Sequence, residues 1–176
     1  MNNEQIVLRQ TDWSTSKDSN DMYHMMNRED GIRDVFVGRT DRIINADISW
    51  MIQAGNKNIG FINLVVEKCN YNYLFLDMGI IKEYRGKGYG KKFLTEVQQL
   101  VEANDLPFVL METTKDNNNA NGVGKGIGCF ITEVGDRNIY LLQKSRLQEF
   151  IDSNQMEELA KHYGKENCKK AIIKQY

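Results

Sequence analysis

The chain has 176 residues, 41% of them hydrophobic, and its formal net charge at pH 7 is −1. This length suits one globular domain, and the small net charge argues against a general binder of nucleic acid or membrane surfaces. The three cysteines, Cys69, Cys129 and Cys168, lack the CxxC spacing of zinc or redox sites, so we expect no metal and reduced thiols. With no signal-peptide pattern and no membrane-length apolar run, we predict a cytoplasmic protein.

The first part of the chain is predicted to form a strand, two helices and a hairpin. Apolar residues at helical spacing, Met22, Met25 and Met26, indicate the buried face of the first helix, which Ser16 or Asp18 would cap. Glycine and asparagine at 55–58 predict the hairpin turn. The predicted elements are a strand at 6–11, a helix from about 16, a short helix at 32–36, and strands at 49–53 and 59–66.

The second part is predicted to contain four more strands and a helical end. Phe93, Val97, Leu100 and Val101 form one apolar stripe of a helix that begins near Gly90. The strand at 108–113 is apolar throughout, which indicates burial on both faces. The remaining predicted elements are strands at 74–81, 129–134 and 138–142, helices near 147–151 and 154–163, and a lysine-rich end beyond residue 164.

Three alternating glycines stand where the strand at 74–81 passes into the following helix. The segment Ile80–Gly90 ends in Arg85-Gly86-Lys87-Gly88-Tyr89-Gly90. A strand that enters a helix through such a turn directs free backbone N–H groups to one place, at the positive end of the helix dipole. These donors and the neighbouring lysines predict a site for a phosphate-bearing ligand.

The spacing of the turn excludes two common phosphate motifs. The nucleotide P-loop would need glycine at Arg85 and serine or threonine at Lys92, and the dinucleotide fingerprint would need glycine at Lys91. What remains is Arg85-x-x-Gly88-x-Gly90, which resembles the acetyl-CoA-binding motif [RQ]-x-x-G-x-[GA] of the GNAT superfamily of N-acetyltransferases. The resemblance extends over roughly residues 6–143.

The resemblance implies a fold that agrees with the predicted order of elements. This is the GNAT-like α/β fold with a mixed α+β sheet, in the order β-α-α-β-β-β-α-β-α-β-β. We therefore expect an acetyltransferase domain at 1–144 and a helical C-terminal extension at 145–176. A homodimer is left open, and we expect no nucleic-acid or membrane partner.

The resemblance also implies acetyl-CoA as the cosubstrate. Main-chain amides of the turn would bind its pyrophosphate, which requires the backbone to approach closely. The backbone of the preceding strand and an asparagine after the next strand would bind its pantetheine arm. The implied cofactor-binding residues are Met78, Gly79, Ile80, Arg85, Gly86, Lys87, Gly88, Tyr89, Gly90, Lys91 and Asn117.

The implied reaction is direct transfer of the acetyl group to a primary amine of a small molecule or a protein. The N–H at about Ile80 would stabilise the oxyanion. Because an alkylammonium is mostly protonated at pH 7, a general base should help. Glu112 and Asp77 are the catalytic candidates, and Glu67 is a weaker one. The slightly acidic chain favours a cationic acceptor.

One position departs from the family pattern. The tyrosine that usually protonates the leaving thiolate falls on Gly124, within a stretch that has glycine at every second position. Each of these glycines disfavours helix, so we expect a short, frayed helix or one that forms around a ligand. Water, Tyr140 or Cys129 would then supply the proton. The alternatives are a CoA-binding module with weak or no catalysis, and a binder of another phosphate ligand such as a nucleotide.

Overall fold

The computed structural model describes residues 5–36, 46–66 and 73–164, which contain a seven-stranded mixed sheet and flanking helices. The strand order β1-β2-β3-β4-β5-β7-β6 and the order of elements along the chain confirm the predicted fold class. The strands are β1 Ile6–Gln10, β2 Ile48–Ala54, β3 Lys57–Val66, β4 Tyr73–Ile80, β5 Phe108–Thr114, β6 Cys129–Val134 and β7 Arg137–Leu141. The helices are α1 Ser16–Arg28, α2 Arg33–Phe36, α3 Tyr89–Ala103, α4 Asn118–Ile127, α5 Leu147–Asp152 and α6 Gln155–Tyr163.

The chain divides into two compact units. The first comprises Met1–Val66 and Leu76–Gly90, and the second comprises Glu67–Phe75 and Lys91–Tyr176. The predicted boundary at residue 144 is a different division and stays a prediction. Among the described residues, no helix is both long and apolar enough to span a membrane.

In the first unit, β1, β2 and β3 form an antiparallel meander. Helix α1 buries Met22, Met25 and Met26, as the helical spacing predicted. Met22 lies beneath the strands, since its sulfur accepts a 3.5 Å hydrogen bond from the side-chain amide of Asn63 in β3. The apolar face of α1 therefore supplies part of this unit's core.

Asp18 has a different role from the predicted helix cap. The cap position of α1 is Thr15, which makes no side-chain capping bond. Asp18 is 1% exposed and its two oxygens each accept a 2.6 Å hydrogen bond from Arg9 in β1. The Asn58 side chain and the Asp12 backbone N–H also donate to it. Such a bidentate pair favours the ionised acid, and it lowers the pKa of Asp18 to about 2.

In the second unit, β5, β7 and β6 pair antiparallel, and Leu110 lies opposite Leu141. Phe150 of α5 and Leu159 of α6 are buried in the same core, and the rings of Phe108 and Phe150 meet edge to face. This core is completed by the two helices of the predicted extension. The predicted stripe of α3 was wrong at one position, because Leu100 is 42% exposed and lies at the edge of the stripe. The buried residues of α3 are Phe93, Leu94, Val97 and Val101.

Helix α4 runs for ten residues and is longer than the short, frayed helix we expected. Its first turn is capped by Asn117, whose side-chain oxygen accepts from the Ala120 N–H. Gly124 faces inward, and a Cβ there would stand 2.7 Å from Met111 Cε and 2.8 Å from Tyr140 Cδ2. A Cβ at Gly126 would meet nothing within 4 Å. Packing thus requires glycine at 124 but not at 126.

The Arg9–Asp18 pair should make stability depend on pH in a predictable direction. The pKa of Asp18 is about 2 in the folded chain against an ordinary value of 3.8. Its contribution is therefore complete above about pH 5 and is lost as the pH falls through 3.8 towards 2. The loss should be about 2 kcal/mol of unfolding free energy. Urea unfolding at pH 6 and pH 2 measures it as the difference in acid response between the wild type and the Asp18→Asn variant.

The Asp18→Asn variant should lack this portion of the acid response. The exposed Asp34, whose side chain is 67% accessible, provides the matched control, and Asp34→Asn should follow the wild type. Equal acid responses in Asp18→Asn and the wild type would contradict the assignment.

Two glycine-to-alanine substitutions in α4 should change the free energy of unfolding in opposite directions. Gly124→Ala should lower the free energy of unfolding by about 1–3 kcal/mol, because the Tyr140 ring must shift. Gly126→Ala should raise it by about 0.4–1 kcal/mol, because alanine restricts the unfolded chain and its methyl group meets open space. Chemical denaturation of the two variants measures both effects, and a neutral Gly124→Ala would show that the contact with Tyr140 is loose.

Candidate active site

The β4–α3 junction has the strand–turn–helix geometry that the glycine motif predicted. Strand β4 ends at Ile80, a 3-10 turn follows at Lys82–Tyr84, and α3 begins at Tyr89. Gly86 and Gly88 have φ of +73° and +82°, a region that favours glycine. A Cβ at either position would meet nothing within 4 Å, so the space beside the turn is open.

The electrostatics of this junction suit an anion. Residues Arg85–Gly88 are exposed, and the first turn of α3 contains no acidic residue. The first backbone N–H groups of a helix have no partner inside the helix, and the helix dipole adds positive potential there. Lys87 keeps its ammonium near the turn, 5.0 Å from the centre of the Tyr84 ring.

Arg85 is held by the protein backbone. Its Nε donates to the Ile80 carbonyl and its Nη2 donates to the Asp30 carbonyl, both at 2.6 Å. The guanidinium has five N–H donors, so these bonds use two of them. Arg85 therefore braces the turn against the end of β4, and its predicted contact with the cofactor stays a prediction.

The part of β4 before the turn lies very close to β3. A Cβ at Gly79 would stand 2.7 Å from the Phe61 ring, and a Cβ at Gly60 would stand 2.5 Å from the Gly79 carbonyl oxygen. Glycine at both positions lets the two backbones approach. Met78 and Ile80 are half-buried on either side of Gly79, and the candidate base Asp77 is 8% exposed.

Glu112, the other candidate base, is engaged on both oxygens in the second unit. One oxygen pairs with Arg137 of β7 and the other accepts from the Tyr163 hydroxyl at the end of α6. Its side chain is 14% exposed. A carboxylate whose two oxygens both accept hydrogen bonds must exchange a partner to receive a proton. The catalytic role of Glu112 stays a prediction, and Glu67 lies outside the described residues.

The residues near Gly124 form one hydrogen-bonded group around Asn121. The Asn121 side-chain oxygen accepts from Thr113, Asn138 and Tyr140, and its amide donates to the Thr114 carbonyl at 2.8 Å. This group attaches α4 to β5 and β7. Sequence reasoning placed the functional asparagine at Asn117 and did not single out Asn121.

The two protein groups proposed to protonate the thiolate are both buried. Tyr140 is 1% exposed and donates a 3.0 Å hydrogen bond to Asn121. Cys129 is 8% exposed, and burial raises the pKa of its thiol. A tyrosine side chain at position 124 would overlap the Tyr140 ring, so the departure from the family pattern matches the packing of this chain.

Several partners had no local signal in the sequence. Arg137 and Tyr163 meet Glu112 from 25 and 51 residues away, and Glu29 meets Lys82 from 53 residues away. A pairing at such separation leaves no spacing pattern in one sequence. In the described ranges, no group of three or more His, Cys, Asp and Glu side chains is placed to hold a metal ion.

Three solved structures with a similar fold are distant from this chain in sequence. An acetyltransferase from Agrobacterium tumefaciens str. C58 has a TM-score of 0.61 at 17% identity, covering 80% of this chain and 92% of that chain. A Bacillus subtilis acetyltransferase in complex with CoA has a TM-score of 0.57 at 10% identity, covering 78% of this chain and 97% of that chain. Spermidine N-acetyltransferase from Vibrio cholerae, in complex with CoA and spermine, has a TM-score of 0.56 at 16% identity, covering 80% of this chain and 97% of that chain. At these identities the likeness shows the fold.

Family membership is shown by the sequence itself. The family model described as Acetyltransferase (GNAT) family matches residues 10–128, about two thirds of the chain. A search of curated protein sequences finds no significant match. The matched region contains the glycine turn, the two strands beside it and helix α4. The chain therefore belongs to the GNAT family of acetyltransferases and is an acetyl-CoA-dependent acyltransferase.

Proposed function

We propose that this protein is an N-acetyltransferase that moves the acetyl group of acetyl-CoA directly to a primary amine. The observation that carries the proposal is the β4–α3 junction, where left-handed Gly86 and Gly88 stand beside open space at an acid-free helix start. A hydrogen bond to a charged group contributes about 1.5–3 kcal/mol. Two or three backbone N–H groups of the turn would then supply most of the affinity for the pyrophosphate.

The remaining cofactor contacts are assigned by the family motif. The Met78–Ile80 backbone would pair with the amides of pantetheine, and the Ile80 N–H would stabilise the oxyanion, which typically contributes about 10²–10³ in rate. Lys87 and Lys91 would add positive charge near the phosphates. Asn117 would contact pantetheine from the start of α4.

The acceptor amine must lose a proton before it attacks. With an ordinary pKa of about 10.4, about one alkylamine in 10³ is neutral at pH 7. Asp77 or Glu112 would take the proton, directly or through water. For Glu112 this requires release of Arg137 or Tyr163, because each now bonds one of its oxygens.

The acceptor class is a small-molecule or protein amine. The similar Vibrio cholerae structure is a spermidine N-acetyltransferase with bound spermine, which supports testing polyamines first. A slightly acidic chain also favours a cation. The cytoplasmic location stays a prediction. Homodimer formation stays open to measurement.

A Gly88→Val change should abolish useful CoA binding. Valine is strained at the φ of +82° and would place its side chain in the open space beside the turn. Loss of two or three hydrogen bonds should weaken CoA binding more than about 100-fold. Calorimetric titration with CoA, and with ATP as the competing ligand class, measures this.

Gly135→Val is the matched control for Gly88→Val. Gly135 has φ of +55° in the β6–β7 turn, and a Cβ there also meets nothing within 4 Å. The control carries similar backbone strain and should bind CoA as the wild type does. Unchanged affinity in Gly88→Val, or tighter binding of ATP than of CoA, would reject the turn as the CoA site.

Incubation with acetyl-CoA and a panel of amines should release free CoA thiol in proportion to acetylated amine. This outcome distinguishes an enzyme from a CoA-binding module, the alternative that Gly124 suggests. With the best acceptor, Asp77→Asn and Glu112→Gln identify the base, since the correct variant should lower kcat by about 10²–10⁴-fold. Tight CoA binding without thiol release on any amine would favour the binding module.

A further inference from the structure

The end of α1 is tied to the segment that leads into the glycine turn. The Lys82 backbone N–H donates a 2.7 Å hydrogen bond to Oε1 of Glu29. Arg85 joins the same two segments, since it donates to the carbonyls of Asp30 and Ile80 at 2.6 Å each. These bonds connect residues 29–30 with residues 80–85, all within the first unit.

Glu29 is itself fixed by the backbone of α1 and α2. Its N–H donates to the Met25 carbonyl, and its own carbonyl accepts from Ile32 and Arg33. Gly31 follows with φ of +74°, and a Cβ there would stand 2.9 Å from Nη1 of Arg85. Glycine at 31 thus lets the guanidinium lie against the backbone. The backbone from which the Glu29 carboxylate extends is therefore held in place.

We propose that Glu29 is a positioning residue for the cofactor turn. It fixes the Lys82 N–H, six residues before Gly88, and so sets the point from which the exposed segment Arg85–Gly88 begins. Helix α3 fixes the other end of that segment at Tyr89. Glu29 acts through the backbone and does not contact the cofactor. This inference rests on the proposed function, because it assigns the turn to CoA.

The expected effect follows from preorganisation. A loop fixed at both ends loses less conformational entropy when a ligand orders it. Without the Glu29 oxygen, the Lys82 end of the loop keeps the bonds of Arg85 and Ile81 but loses one constraint, and CoA must supply that ordering on binding. Simple Coulomb reasoning predicts the opposite sign, since removing a carboxylate near an anionic ligand should strengthen binding.

The test measures CoA binding by calorimetry and acetyl transfer by steady-state kinetics. Glu29→Ala should weaken CoA binding about tenfold and raise KM for acetyl-CoA similarly, with kcat within about twofold of the wild type. Glu29→Gln keeps an oxygen acceptor and should lie within about threefold of the wild type. Glu83→Ala is the charge control, because Glu83 lies in the same 3-10 turn and pairs with Lys57 instead.

A second variant removes the donor and leaves α1 intact. Lys82→Pro deletes the N–H at the first residue of the 3-10 turn, where the preceding Ile81 already has the extended ψ of 149° that proline requires. It should weaken CoA binding as much as Glu29→Ala does, with no further loss in the double variant. Lys82→Ala controls for the lost charge.

Three outcomes would overturn the inference. One is wild-type affinity in Glu29→Ala, and another is equal weakening in Glu29→Ala and Glu83→Ala. Additive losses in the double variant would also exclude a shared bond. Failure of the proposed function itself looks different, because the wild type would then not bind CoA and both proposals would fall.

Discussion

The structure depends most on how the backbone passes from β4 into α3. The left-handed glycines Gly86 and Gly88 lie in the turn between the strand and the helix and leave the space beside that turn open. The first N–H groups of a helix have no partner inside that helix, and such a helix start favours an anion. Any side chain larger than hydrogen at these two positions would strain the backbone and occupy the open space in which we propose that the ligand binds.

Contacts between β3 and β4, together with the hydrogen bonds of Arg85, hold this turn in place. Gly60 and Gly79 allow β3 and β4 to approach until a Cβ no longer fits, so the strand before the turn has little freedom. Arg85 donates two hydrogen bonds to backbone carbonyls. The residue that begins the motif therefore contributes to the shape of the turn, whichever ligand the turn binds.

The sequence predicted what local patterns determine, and little of what distant contacts determine. Apolar runs and turn residues located each strand of the described ranges within two residues, and the methionine spacing located the buried face of α1. The prediction for Asp18 was wrong because Arg9, in another element, offers this carboxylate a stronger partner than a helix end does. The glycines of α4 suggested a frayed helix, because one sequence does not reveal the Tyr140 ring that makes Gly124 necessary. The partners of Glu112 were missed for the same reason.

The proposed cofactor binding follows the family pattern, whereas the proposed protonation of the thiolate does not. The cofactor turn keeps the motif, whereas the position of the usual tyrosine is glycine and the ring of Tyr140 lies there instead. That ring enters from β7, and its hydroxyl is committed to Asn121. Restoring tyrosine at 124 would therefore require removal of the Tyr140 ring and would break the Asn121 group. Because the two aromatic positions exclude each other, the proposed acetyl transfer would need a proton donor other than a tyrosine at 124.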